Sequence, residues 1–356
     1  MSKNKKAMVV TAATLATTVF LSGCGLFGGE DTKKIDPPQD VTLMENGDAV
    51  NEKVTTETNE TGKEAVESSI QTELYLIDKN GYVVSQTMEL PKKEGVAQQA
   101  LEYLVANGPV EQMLPNGFRA VLPADTQMTV NIKNGTATVD FSKEFATYKK
   151  EDEKRILQAV TWTLTQFDSV DKVKLQLNGT PLEAMPVNGT PIGGDLSRAD
   201  GINVDNSDVV DITNTKAVTV YYIGGEEGAY YYVPVTKRVS NDQNDTITAI
   251  VNELVEGPAY ASNLLSDFQS SVKLLDEPKI EDGKVTLNFN ESIFGSLEEK
   301  MVSEHLLNSL VLSMTEQEGV NSVALTVNGK ADVLSESGEK LAEPVTRPEK
   351  VNTGSF

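Results

Sequence analysis

The 356-residue chain has one cysteine, Cys24, and one histidine, His305. A lone thiol cannot close an internal disulfide, and with no cysteine or histidine near it Cys24 makes a poor metal site. Ser-His-Asp and Cys-His chemistry would both have to be built on His305. That residue falls beside Met301, Val302 and Leu306, where a long polar side chain flanking an apolar stripe accounts for it. Asp140 and Glu144 form the best carboxylate pair for glycoside hydrolysis, which needs two acids at a fixed separation. A solvated strand end explains them more simply. Asp200, Asp205, Asp208 and Asp211 lack the D-x-D-x-D-G spacing that converges oxygens on calcium, so they are expected to be a solvated linker. In "IGGEEG", Glu226 and Glu227 would repel phosphate, and a hairpin turn is expected. No catalytic residue, metal or cofactor is expected.

Chemistry of another kind surrounds Cys24. Lys3, Lys5 and Lys6 precede an uncharged apolar run from Ala7 to Phe20, the layout of a secretory signal and short for a membrane span. Leu21-Ser22-Gly23-Cys24 then resembles a bacterial lipobox, with cleavage between Gly23 and Cys24 and lipid carried on the cysteine sulfur. Cleavage takes the formal charge from −22 to −25, a balance that repels nucleic acid. Residues 24–69, rich in Glu, Asp, Thr and Asn, lack periodicity and read as an acidic tether. Its random-coil reach is about 40 Å.

The remainder repeats once. "LQAVTWTLTQFDSVDKVKLQLNG" aligns without a gap on "LNSLVLSMTEQEGVNSVALTVNG", and "NGTATVDFSKEF" matches "DGKVTLNFNESIF". The expected organisation is a signal peptide (1–23), tether (24–69), first repeat (70–193), acidic linker (194–214), second repeat (215–335) and tail (336–356). Each repeat begins with a hairpin, around Lys79-Asn80-Gly81 or the glycine-rich turn of "YYIGGEEGAYYY". A helix follows, carrying Val96, Ala100, Leu101, Leu104 and Val105, or Ile247, Ile250, Val251, Leu254 and Val255 behind the N-cap Asp245. A second hairpin turns at Asn134-Gly135 or Asp282-Gly283. A longer helix carries Ile156, Leu157, Val160, Leu164 and Phe167, or Leu306, Leu307, Leu310, Val311 and Met314. A strand ending in Asn178-Gly179 or Asn328-Gly329 closes each unit. The fold class is α+β: two tandem domains, each a mainly antiparallel sheet with two helices packed on one face.

Trp162 corresponds to Leu312 and reads as core. Tyr221, Tyr222, Tyr230, Tyr231 and Tyr232, half of the chain's ten tyrosines, lie on two strands of one hairpin. Successive strand residues point to opposite faces, so some of them are expected to face outward. Cross-strand aromatic pairing accounts for them within the fold. An exposed patch would suit a protein interface or sugar stacking.

Lipobox, tether and two copies of "LVANGP"/"LVEGP", "VDFSKEF"/"LNFNESIF" and "VKLQLNG"/"VALTVNG" together resemble the GerMN-domain sporulation and germination lipoproteins of endospore-forming, Bacillus-type bacteria. The resemblance covers nearly the whole chain. It implies a ring-building-motif-like fold and a non-enzymatic lipoprotein on the extracytoplasmic face of the cell membrane. Its place would be the space between mother cell and forespore membranes, where it supports a transenvelope channel complex. The implied partners are the membrane, through the N-terminal lipid, and channel-complex proteins. A module binding peptidoglycan or another glycan is the alternative.

Overall fold

The computed structural model describes residues 69–207, 214–241, 245–295 and 300–353. Cys24, Gly23, the signal segment and the tether lie outside the described residues, as do Asp208 and Asp211. Both repeats lie within one compact unit, Glu64–Phe356.

Repeat 1 runs β1 (Ser69–Ile77), β2 (Val83–Pro91), α1 (Val96–Glu102), β3 (Met128–Lys133), β4 (Thr136–Phe141), α2 (Glu153–Leu164), β5 (Lys172–Leu177) and β6 (Thr180–Pro181). Repeat 2 runs β7 (Thr215–Glu226), β8 (Ala229–Ser240), α3 (Thr246–Glu256), β9 (Lys279–Glu281), β10 (Lys284–Phe289), β11 (Met301–Val302), α4 (Glu304–Thr315), β12 (Ser322–Val327), β13 (Leu334–Ser335) and β14 (Val345–Thr346).

The first hairpin of each repeat is a two-stranded sheet of its own, β1-β2 or β7-β8. The second sheet is four-stranded, β3-β4-β5-β6 or β9-β10-β12-β14. Its central pair, β4 with β5 and β10 with β12, is parallel, while the flanking pairs are antiparallel. Parallel neighbours need a crossover, and α2 and α4 provide it. The Asn-Gly turns sit as their chemistry demands. Asn134, Asn178 and Asn328 lie at φ 51, 49 and 49°, each before a glycine of positive φ.

Helix α3 follows the sequence closely. Asp245 accepts hydrogen bonds from the Ile247 and Thr248 amides, and Gly257 ends the helix at φ +84°. Helix α1 is shorter than its apolar stripe. Gly95 occupies the N-cap and offers no side-chain acceptor. At the other end, the Leu104 carbonyl is taken by the amides of Val121 and Leu122. Leu104 and Val105 are therefore buried from a turn. In α2 and α4, Ile156, Val160, Leu164, Leu306, Leu307, Leu310, Val311 and Met314 are buried as their spacing predicts and Leu157 is half-buried; Phe167, expected on the helix, lies beyond its end at Leu164 and is half-buried there. One cluster of buried apolar residues runs through both repeats.

Candidate functional site

The two long hairpins meet along β2 and β8, and the contact is made by side chains that follow the repeats. Asn203 accepts from the Val83 amide (2.8 Å) and donates to the Val83 and Pro234 carbonyls (2.7 Å each). Asn352 accepts from the Tyr232 amide (2.7 Å) and donates to the carbonyls of Ser85 (2.8 Å) and Tyr232 (2.9 Å). Each amide is a clip between one strand of each repeat, and each clip residue adopts positive φ, 47° and 56°. Asparagine tolerates that left-handed region better than most side chains. Ile202 and Val351 beside them are buried. The linker was expected to be solvated; Ala199 and Asp200 are exposed, but Leu196 docks on Val173 of repeat 1 and Ile202 is buried against Thr236 of repeat 2. Asp205 lies at its edge, 3.7 Å from the buried Lys237.

Of the five hairpin tyrosines, two retain partial exposure. Both faces of β7-β8 carry packing neighbours: Tyr221, Tyr222 and Tyr231 are buried, while Tyr230 and Tyr232 are half-buried. No two of these tyrosines are cross-strand partners. Tyr222 donates to the Glu253 and Gly257 carbonyls around the end of α3. Tyr231 crosses to repeat 1, donating to Asp78 at 2.7 Å and meeting the Phe118 ring edge-on at 5.1 Å. Its ring lies over Gly224, where a Cβ would approach it to 2.8 Å. Tyr232 bonds to Asn308 and to His305 Nδ1, and the His305 ring stands edge-on to Tyr230. The only histidine thus braces a hairpin, as Arg155 does in repeat 1 by donating to the Gly81 carbonyl at 2.7 Å.

Behind the clips lies a charged cluster. Arg198 stacks over Trp162 at 4.4 Å and pairs with Glu316 across the seam. Arg347 stacks over Tyr221 at 5.5 Å and lies 3.8 Å from Glu73 and 3.6 Å from Glu316. Trp162, read as core, is buried against Tyr75 as well. Burial opposes the charge on Arg198, but the paired Glu316 carboxylate favours it, and its pKa is raised. Burial pushes the Tyr75 and Tyr221 phenols up, so both are neutral donors at any physiological pH. Glu73, Gln166, Arg198, Glu316 and Arg347 line an open groove of about 780 Å³. Two arginines and two glutamates satisfy one another there, an arrangement suited to holding two bodies in one register.

The carboxylate pair has a structural task. Asp140 Oδ1 accepts from the Gly179 amide at 2.8 Å, and Asn288 Oδ1 accepts from the Gly329 amide at 2.9 Å. The position needs an acceptor oxygen, which either side chain supplies. Hydrogen bonding from Ser142 lowers the pKa of Glu144, the opposite of what a general acid requires. Sequence reasoning passed over Glu153, a buried carboxylate at the start of α2. It accepts from Tyr148 (2.8 Å), from the Asn188 and Thr190 amides (2.7 and 3.0 Å) and from the Thr190 hydroxyl. Burial raises its pKa, and these bonds more than reverse that, holding it at about 2. It is a fixed anion pinning the 187–190 turn to α2. Among the described residues, no group of three or more His, Cys, Asp or Glu could hold a metal ion.

Comparison with known proteins agrees with this architecture. The family described as Germane: Sporulation and spore germination matches residues 73–183 and 219–333, one match in each repeat. The chain is 56% identical over 359 residues to the spore germination protein GerM of Bacillus subtilis (strain 168), covering 98% of both chains. A structure of the tandem GerMN domains of the B. subtilis sporulation protein GerM is similar at a TM-score of 0.77. It is 60% identical, and the match covers 81% of this chain and 100% of that one. With the repeat, the α+β fold and the sequence identity in agreement, the chain belongs to the Germane family of sporulation and spore germination proteins.

Proposed function

We propose that this sporulation and germination protein is a non-enzymatic scaffold, lipid-anchored through Cys24 to the extracytoplasmic face of the cell membrane. There it supports assembly of the complex that joins mother cell and forespore. One observation carries this reading: the charged and aromatic side chains that might have formed a reaction centre are spent on fixing one repeat against the other. Arg198, Arg347, Glu316 and Glu73 pair among themselves, and the asparagine clips lock β2 to β8. A chain built this way presents two outer surfaces at a set angle, which is what a bridging component needs. The glycan-binding alternative is weakened, since three of the five tyrosines that would stack on sugar are buried within the fold.

Recovery from detergent-solubilised sporulating cells with a tagged chain tests the reading. Membrane proteins of the mother cell to forespore complex are expected with it. Sedimentation of the soluble chain with purified cell wall would favour the glycan module instead. Turnover of muropeptides by the purified chain would overturn both.

A further inference from the structure

The side chains that clip the seam come in matched pairs. Asn203 and Asn352 are 149 positions apart, and so are Val83 and Tyr232, Ser85 and Pro234, and Arg198 and Arg347. Asn203 holds both backbone groups of Val83 in its own repeat and reaches the Pro234 carbonyl of the other. Asn352 holds both backbone groups of Tyr232 and reaches the Ser85 carbonyl. Those are the same three bonds with the repeats exchanged. Arg198 stacks on an aromatic ring of its own repeat and reaches Glu316 in the other. Arg347 stacks on Tyr221 and reaches Glu73. Tyr231 seats against Phe118 of repeat 1. Its counterpart Tyr82, also 149 positions earlier, faces Ser262 and Leu264 of repeat 2 across a cleft of about 340 Å³. Strands β2 and β8 run antiparallel, since Val83 shares a clip with Pro234 and Ser85 with Tyr232. The clip bonds survive exchange of the two sides, while the glutamates that Arg198 and Arg347 reach are not counterparts; at its clips the seam is isologous, the geometry of a two-fold dimer.

We propose that this face of repeat 1 is self-complementary, and that its partner besides repeat 2 is repeat 1 of a second copy of this chain. The residues needed are all present in repeat 1 and its linker. Asn203 of each copy would reach the Ser85 carbonyl of the other, as Asn352 does in the closed chain. Tyr82 would take the place of Tyr231 on Phe118 and Asp78. The two copies would bring two Arg198 and two Glu73 to the cluster, so its charge stays balanced. The exposed pair between Lys79 and Glu226 would be lost, which costs little. A chain whose seam opens is therefore equipped to close on a second chain, repeat 1 on repeat 1, giving membrane-anchored copies a route to pair without any further surface.

The test uses the intact, folded chain. A specific protease sequence replacing residues 208–213 allows the chain to be cut after purification. Cut protein with an affinity tag on the N-terminal half is then equilibrated with untagged cut protein, and the tag is captured. Untagged N-terminal halves are expected in the captured fraction along with C-terminal halves. Capture of C-terminal halves alone, or of neither half, overturns the proposal. Asn203→Ala in both preparations removes two cross-seam bonds per pair, each worth about fivefold, so self-capture of N-terminal halves should fall roughly 25-fold. Unchanged self-capture would overturn the assigned contacts. Should that variant fail to fold, the result with the unsubstituted halves decides alone.

Discussion

Replacing Asn352 by alanine removes three hydrogen bonds and leaves a backbone conformation at φ 56° that alanine disfavours. The orphaned groups are the Tyr232 amide and the Ser85 and Tyr232 carbonyls, in a part of the seam where Asn352 is itself only 8% exposed. At about 1 kcal/mol per bond, with about 1 kcal/mol for the left-handed conformation and some relief from entering water, the expected loss is about 3 kcal/mol. Asn352→Gly loses the same bonds without the conformational term and should be about 1 kcal/mol less damaging than alanine. Asn203→Ala should match Asn352→Ala to within about 1 kcal/mol, because its three bonds are equivalent. Urea unfolding of a soluble chain beginning at residue 69 measures all three, and the alanine variants should melt roughly 5–10 °C lower. A loss below about 0.5 kcal/mol for either alanine variant would refute the clip. So would a glycine variant less stable than the alanine one.

Glu153, with its pKa depressed to about 2, contributes stability that is fully present above pH 4.5 and fades as the pH falls toward 2. Glu153→Gln should therefore cost about 2 kcal/mol at pH 7 and almost nothing near pH 2, read from denaturation curves across that range; a constant difference would contradict the assignment. Asp140→Asn should be nearly neutral in the same assay, since Asn288 does that task in repeat 2, whereas Asp140→Ala should cost about 1 kcal/mol. Cys24→Ala should release folded protein from the membrane fraction, and retention after salt and carbonate washing would dispose of the anchor.

Much of the fold was legible because local rules and tertiary structure agree. The Asn-Gly turns at 134–135, 178–179 and 328–329, the Asp245 cap and the apolar stripes of α2, α3 and α4 all follow from spacing and turn chemistry. Helix α1 came out short because tertiary bonds to the Leu104 carbonyl compete with the helix, and no local pattern reports a bond to Val121. The tyrosines of β7-β8 misled for a related reason. Alternation predicts one exposed face only if one face lacks a neighbour, and repeat 1 supplies a neighbour where Tyr231 meets Asp78 and Phe118. The clips were within reach. Continuing the repeat comparison beyond Gly179 and Gly329, with a gap of one residue in repeat 2, aligns Ser197-Arg198 with Thr346-Arg347 and Ile202-Asn203 with Val351-Asn352. Polar residues recurring at repeat spacing inside apparent linkers are the signal of a shared structural task.

Photocrosslinking in sporulating cells tests the central claim most directly, with a crosslinking residue placed at exposed outer positions such as Tyr260 and Ile280 and the products identified by mass. If the chain is an anchored scaffold, those positions attach to protein components of the complex between mother cell and forespore. Attachment to cell-wall glycan in place of protein would contradict the account.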